Sequence, residues 1–135
     1  MKISVETSIK APIDVIWAAY TTPEDIVQWN SASDDWHTTK ATVDLKVGGS
    51  FSSWMEAKDG SSGFDFAGRY VKIIPLKLIA YSFGNRTGVV EFIQEDGAIT
   101  VRVTFDAEDE NPIELQRDGW QKILDNFAKH VLKRT

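Results

Sequence analysis

The sequence contains no cysteine and only two histidines, His37 and His130. Without cysteine the chain forms no disulfide, no thiolate metal site and no cysteine nucleophile. The two histidines lack the spacing of a zinc-binding pair, so we expect no metal and no cofactor. The serines give no sign of a catalytic nucleophile either, since Gly60-Ser61-Ser62-Gly63 misses the G-x-S-x-G arrangement of hydrolases.

The sequence also has little positive charge and no long apolar run. Fifteen Lys and Arg stand against twenty Asp and Glu, which gives a net charge of −5 and argues against binding nucleic acid or anionic lipid. No segment approaches the roughly 18 apolar residues that cross a bilayer, and the first residues alternate instead of forming the apolar core of a signal peptide. We therefore expect no nucleic-acid partner, no membrane insertion and a cytoplasmic location.

Aromatic residues, in contrast, are abundant: the 135 residues include five Trp, seven Phe and three Tyr. A chain of this length can bury enough surface for one stable core, and we expect a single domain over residues 1–135. Polar and apolar residues alternate over residues 2–10, which predicts an N-terminal strand. Pro12 and the pair Thr22-Pro23 then predict the starts of two short helices.

Between residues 39 and 106 the apolar pattern has a period of two, which is typical of strands. Gly48-Gly49, Asp59-Gly60 and Asp96-Gly97 are turn signals that divide this region, and Pro75 ends a further segment. We predict six strands here, joined by short turns, which with the first strand make a seven-stranded antiparallel sheet. One strand has a clear inward-facing series, formed by Phe51, Ser53, Met55 and Ala57.

A long amphipathic helix is predicted at the C-terminus, with Asn111 as its N-cap and Pro112 as its first residue. Gln116 and Arg117 lie within about 60° of the centre of its apolar stripe. Either they reach past the sheet edge to water, or they line an inner cavity. The stripe itself consists of Ile113, Trp120, Leu124, Phe127 and Val131.

The order of these elements, and several motifs within them, resemble a known family. One strand, two short helices, six strands and a long helix is the order of the helix-grip fold. Residues 11–17, Ala-Pro-Ile-Asp-Val-Ile-Trp, resemble the segment after the first strand in the START-like (SRPBCC) superfamily. Other motifs are similar to its subfamily named after the activator of heat-shock protein 90 ATPase: Asp35-Trp36-His37, Val47-Gly48-Gly49, residues 55–60, residues 63–68 and Gly119-Trp120.

This resemblance extends over essentially the whole chain. It implies an α+β helix-grip fold in which the seven-stranded antiparallel sheet wraps around the last helix, with a pocket between them. It implies no single use of the pocket, because the superfamily includes lipid and hormone carriers, aromatase/cyclases, oxygenase domains and the cochaperone domain.

The residues expected to face this pocket form the candidate site. An apolar or aromatic ligand would contact an apolar group consisting of Trp36, Met55, Phe66, Trp120 and Leu124. The candidates for contact with a polar end of the ligand are Ser53, Arg69, Gln116 and Arg117. His37 follows Asp35 near the expected mouth, where an Asp–His pair would act as a general base; the alternative is a surface or structural histidine.

Three hypotheses of function follow. The first is a non-enzymatic carrier or sensor that binds a small apolar or aromatic molecule between the sheet and the last helix. The second is a cyclase- or hydrolase-type enzyme that uses the same cavity, with His37 as its base. The third is an interaction module with a chaperone partner, contacted through a surface patch around the outward-facing Trp54. Because the usual catalytic constellations are missing, the sequence favours the first.

Overall fold

The computed structural model describes all 135 residues, and its elements follow the predicted order. Three helices and seven strands are present. Their bounds are β1 (Lys2–Ile9), α1 (Ile13–Thr21), α2 (Pro23–Trp29), β2 (Trp36–Val43), β3 (Ser50–Ala57), β4 (Gly63–Ile74), β5 (Leu78–Phe83), β6 (Arg86–Glu95), β7 (Ala98–Asp106) and α3 (Ile113–Arg134).

All seven strands form one antiparallel sheet in the order β1-β7-β6-β5-β4-β3-β2. Its two edge strands are β1 and β2, and the segment that connects them is α1 followed by α2, with α2 packed on β2. The C-terminal helix α3 packs on β1 at the opposite edge. The α+β helix-grip fold expected from the sequence is therefore confirmed.

Local sequence explains the turns and the edge of this sheet. Asp96 and Gly97 both have positive φ, 47° and 78°, as the tight hairpin between β6 and β7 requires. In β2, a register shift between Thr38 and Lys40 interrupts the pairing with β3. The predicted hairpin at Asp96-Gly97 is confirmed, whereas β2 begins at Trp36, a few residues before the predicted change of period.

The two halves of α3 are buried to different extents. Leu124, Phe127 and Val131 in its C-terminal part are at most 2% exposed and belong to the main core, whereas Leu115 in its first turn is 59% exposed. The N-cap is Pro112 and makes no side-chain cap hydrogen bond, so the prediction of Asn111 as N-cap was wrong by one residue. The Asn111 amide instead donates to the Glu108 carboxylate. No helix combines the length and apolarity needed to cross a bilayer.

A buried ion pair ties the C-terminal end of α3 to α2. Asp25 is only 6% exposed, and its Oδ1 lies 2.8 Å from Nε2 of His130. The Arg134 guanidinium donates to the same oxygen. A buried carboxylate is stable only when it is paired and hydrogen-bonded, so these two residues of α3 hold the helix against α2.

Candidate functional site

A cavity of about 680 Å³ lies between the concave face of the sheet and α3. The backbone of α3 lies closest to β1, α1 and α2, and it reaches the middle strands of the sheet through the Trp120 side chain. Twenty of its 31 lining residues are hydrophobic, which is the composition of small-molecule sites. Exposed apolar side chains at its boundary, Phe64 at 49% and Leu115 at 59%, mark the mouth between β4 and the first turns of α3.

Aromatic rings form the wall on the sheet side. The Phe51 ring lies 5.1 Å from that of Tyr70 and 5.4 Å from that of Tyr81, measured between centroids. Phe66 and Phe83 continue the wall, with their centroids 5.3 Å apart. These residues occupy inward positions on β3, β4 and β5, where the strand period of two brings their side chains to one face.

Two glycines leave space for these rings. A Cβ atom on Gly88 would lie 2.4 Å from Cζ of Tyr81, its partner across the β5–β6 ladder. A Cβ on Gly68 would lie 2.8 Å from Cζ of Phe51. Both separations are well inside van der Waals contact, so the aromatic wall depends on glycine at these two strand positions.

Trp120 connects α3 to the sheet side of the cavity. Its indole stacks on Phe105 with the ring centroids 3.8 Å apart and an interplanar angle of 11°. Phe66 and Phe83 lie 6.0 and 6.1 Å from the same indole. Since Phe105 is fully buried, this stack fixes the indole as one side of the cavity.

All three tyrosines of the chain, Tyr20, Tyr70 and Tyr81, line the cavity. None of their hydroxyl groups makes a hydrogen bond within the chain. Burial raises the pKa of Tyr70 to about 12, and it raises the pKa values of Tyr20 and Tyr81 further. Each pKa is also influenced by another of the three hydroxyls or by a nearby charge. The cavity therefore contains three neighbouring, uncharged and unpartnered hydroxyl groups.

One arginine lies at the rim. The Arg86 guanidinium covers the face of Phe83, with Cζ 4.4 Å from the ring centroid, a favourable cation–π geometry. Its Nη1 is 3.7 Å from Oε2 of Glu108, too far for a hydrogen bond. Its Nε is buried and has no hydrogen-bond partner. Arg86 is thus the least satisfied polar group around the cavity.

Gln116 is buried at the cavity, but its amide is already used. Its Oε1 accepts from the backbone N–H of Glu108 at 2.9 Å. Its Nε2 donates to the carbonyl of Asn111 at 2.8 Å and to that of Glu108 at 3.2 Å. The side chain therefore holds the loop between β7 and α3, and its amide is not free for a ligand.

A smaller cavity of about 230 Å³ adjoins the main one. Ala32, Met55 and Phe64 line both cavities, and Trp36 lines the smaller one, its ring 5.9 Å from that of Phe64. Met55 is 7% exposed and is the flexible side chain on this shared wall.

The structure brings most of the residues predicted for the site together. Those that line the main cavity are Ser53, Met55, Phe66, Gln116, Trp120 and Leu124. Trp36 lies at the smaller cavity.

Three of the residues predicted for the site lie outside both cavities. Arg69 alternates with the inward-facing Tyr70 and is exposed, donating to the carbonyl of Gly48 at 3.0 Å. Arg117 is exposed on α3. His37 has a 42% exposed side chain and faces Glu56, with Nε2 3.8 Å from Oε1.

Sequence analysis missed the three tyrosines and Arg86. Tyr70 and Tyr81 had a usable signal, because each shares its strand parity with an inward phenylalanine, Phe66 or Phe83. Tyr20 and Arg86 had none, since the end of α1 and the start of β6 meet this cavity only through the curl of the sheet.

Comparisons with known proteins agree with this architecture. Residues 10–131 match the family described as Activator of Hsp90 ATPase homolog 1-like protein. The chain is 44% identical to an AHSA1-like protein from Aeromonas hydrophila whose solution structure is known, covering 99% of this chain and 94% of that one with a TM-score of 0.92. It is 39% identical to a protein from Cytophaga hutchinsonii, covering 98% and 93% with a TM-score of 0.85.

A more distant likeness concerns the fold alone. A protein from Nitrosomonas europaea is 17% identical and covers 100% of this chain and 96% of that one with a TM-score of 0.84. No match was found among curated proteins.

Proposed function

We propose, from the premise that this chain belongs to the family of Activator of Hsp90 ATPase homolog 1-like proteins, that it binds a small apolar or aromatic molecule between the sheet and α3. The fold is commonly a ligand-binding one, and the proposal makes this chain a carrier or sensor. The observation that carries it is the cavity of about 680 Å³ with its aromatic wall. That volume is within the range that encloses ligands of drug size.

The geometry supports binding more than catalysis. The enzyme hypothesis relied on His37 as a base, and this side chain lies outside the cavity beside Glu56. A general base must reach the proton it abstracts directly or through one water. The lining residues instead supply apolar contact area and a few polar groups, the combination that orients a ligand.

The interaction hypothesis depends on Trp54, and the neighbouring strand of the chain itself covers part of this side chain. Trp54 is 40% exposed and lies across Gly63, where a Cβ atom would come within 2.8 Å of Cζ2 of the indole. The neighbouring strand thus covers part of the ring. The chaperone appears only in the description of the family. No contact of Trp54 in this structure favours a chaperone partner.

A cavity-filling variant tests the proposal with a neutral apolar dye, N-phenyl-1-naphthylamine. Ser53 is buried on the cavity wall, whereas Ser52 on the same strand faces outward and contacts the Thr42 hydroxyl. We expect the wild type to bind one dye molecule saturably. Ser53→Trp places an indole in the cavity and should weaken binding about tenfold or more, because overpacked interiors yield little. Ser52→Trp adds the same ring outside and should leave the dye affinity unchanged.

Fluorescence titration measures the three affinities, and circular dichroism confirms that each variant is folded. Non-saturable binding by the wild type, or equal affinities of the two tryptophan variants, would contradict the cavity as the binding site.

A further inference from the structure

The unpartnered polar groups in the cavity indicate the chemistry of the ligand. Tyr70 and Tyr81 are directly opposite each other across the β4–β5 ladder, and Tyr81 is opposite Gly88 across the next ladder. Tyr20 reaches the same cavity from the end of α1. The three side chains therefore enter one cavity from two strands and one helix.

A ligand that enters the cavity must replace the water at these hydroxyls. No side chain or backbone group of the chain pairs with any of the three, and water can reach each of them, because the only fully buried side-chain polar atom without a partner is Nε of Arg86. A ligand that displaces this water without replacing its hydrogen bonds loses affinity. A hydrocarbon chain filling the cavity would displace water from them and offer nothing in return. An oxygen atom that accepts a hydrogen bond would satisfy one or two of them, because a phenol donates readily to a carbonyl or hydroxyl oxygen.

The charges around the cavity disfavour an anion. The charged residues that line it are Arg86, Asp65 and Glu108. Glu108 faces Arg86 at 3.7 Å and offsets its charge, whereas Asp65 is exposed and lies opposite the outward-facing Trp54 across the β3–β4 ladder. Asp44 also lies close enough to raise the pKa of Tyr70. A carboxylate placed here would therefore meet no excess of positive charge.

We infer that the preferred ligand is an uncharged ring compound whose inner end carries a hydrogen-bond-accepting oxygen, bound by the hydroxyls of Tyr70, Tyr81 and Tyr20. The aromatic wall of Phe51, Phe66 and Trp120 supplies flat surfaces for its rings. This inference rests on the proposed function and narrows it from apolar molecules in general to oxygenated aromatic ones.

A matched pair of probes measures how much the ligand's oxygen atom contributes to binding. Benzophenone and diphenylmethane have the same two rings and differ by a carbonyl in place of a methylene. The measured quantity is the ratio of their affinities, compared between the wild type and the double variant Tyr70→Phe/Tyr81→Phe. Each phenylalanine keeps the ring and removes only a hydroxyl that has no partner in the chain, so the variant should remain folded.

We expect the affinity ratio to shift against benzophenone by about 3- to 10-fold in the double variant, the effect of losing one neutral hydrogen bond. Ser52→Ala removes an outward-facing hydroxyl and should leave the ratio at the wild-type value. Tyrosine labelled with ¹³C at Cζ provides a second readout. All three tyrosines of the chain line the cavity, so benzophenone should shift tyrosine signals that diphenylmethane moves less.

The outcomes separate this inference from the proposed function. If both probes bind saturably but the ratio is the same in the double variant, the cavity binds ligands and the oxygen-recognition inference is wrong. If dodecanoate, tested alongside, binds more tightly than benzophenone, the preference for an uncharged ring is overturned. If the wild type binds none of the three probes, both the inference and the proposed function fail.

Discussion

Alkaline pH tests the environment of the cavity directly, because every tyrosine of the chain lies there. An ordinary tyrosine has a pKa of 10.0, so about 2.7 of the three would be ionised at about pH 11 in the unfolded chain. In the folded protein the lowest of the three pKa values is that of Tyr70, raised by burial to about 12. The folded protein should therefore carry only about 0.1 tyrosinate at the same pH.

The same difference makes the folded state less stable as the pH rises. A raised pKa means that the folded state keeps its protons where the unfolded chain has lost them. The stabilisation from the neutral hydroxyls is complete below pH 10 and is lost as the pH rises above it. For Tyr20 and Tyr81, whose pKa values are raised the most, this linkage removes about 3 kcal/mol of unfolding free energy by about pH 11. Domains of this kind have about 5–15 kcal/mol in total, so we expect unfolding soon above that pH.

Absorbance at 295 nm, which reports tyrosinate, and far-UV circular dichroism, which reports folding, should change together. In guanidinium chloride the same titration should give three equivalents with a midpoint near the ordinary value. Tyr70→Phe should reduce the total from three equivalents to two, still released together with unfolding. A native tyrosinate step near pH 10 with unchanged circular dichroism would refute the burial argument.

Two further predictions concern stability and are tested by urea unfolding. Gly88→Ala should destabilise the fold by about 1–3 kcal/mol because its Cβ would lie 2.4 Å from Cζ of Tyr81, an overpacked position. Gly119→Ala is its control: the nearest atom to the new Cβ is 3.8 Å away, so it should stabilise α3 by up to about 1 kcal/mol. Asp25→Asn, which removes the buried charge facing His130, should lower the unfolding free energy by about 1–3 kcal/mol. An unchanged urea midpoint of this variant would contradict the role given to the ion pair. A destabilised Gly119→Ala variant would contradict the open space that the structure shows beside Gly119.

The fold could be predicted because its signals are local. Alternation over β1 and β3, the Asp96-Gly97 hairpin and the apolar stripe of α3 each determine an element from neighbouring residues alone. The order of those elements then restricts the topology to few alternatives. The prediction of Asn111 as N-cap was wrong by one residue, because the N-cap is Pro112, and the Asn111 side-chain amide donates to Glu108.

The site was only partly predictable, since it depends on how distant elements meet. Ser53, Met55 and Phe66 follow strand parity, and the same parity would have excluded Arg69. Gln116 was correctly considered for the cavity, but its bonds to the loop before α3 depend on the tertiary approach of that loop. The positions of Tyr20 and Arg86 depend on the curvature of the whole sheet.

The unequal anchoring of α3 has a consequence for how quickly a ligand of the proposed kind would exchange. Its C-terminal part is fixed by Phe127, Val131 and the pair to Asp25. Its first turns are held mainly by Trp120 and by the Gln116 bonds to the preceding loop. Segments with few buried contacts open at lower free energy than the core. We therefore expect the first turns of α3 to open while the rest of the domain stays folded, so that the residence time of a ligand of the proposed kind would be governed by this local opening rather than by global unfolding.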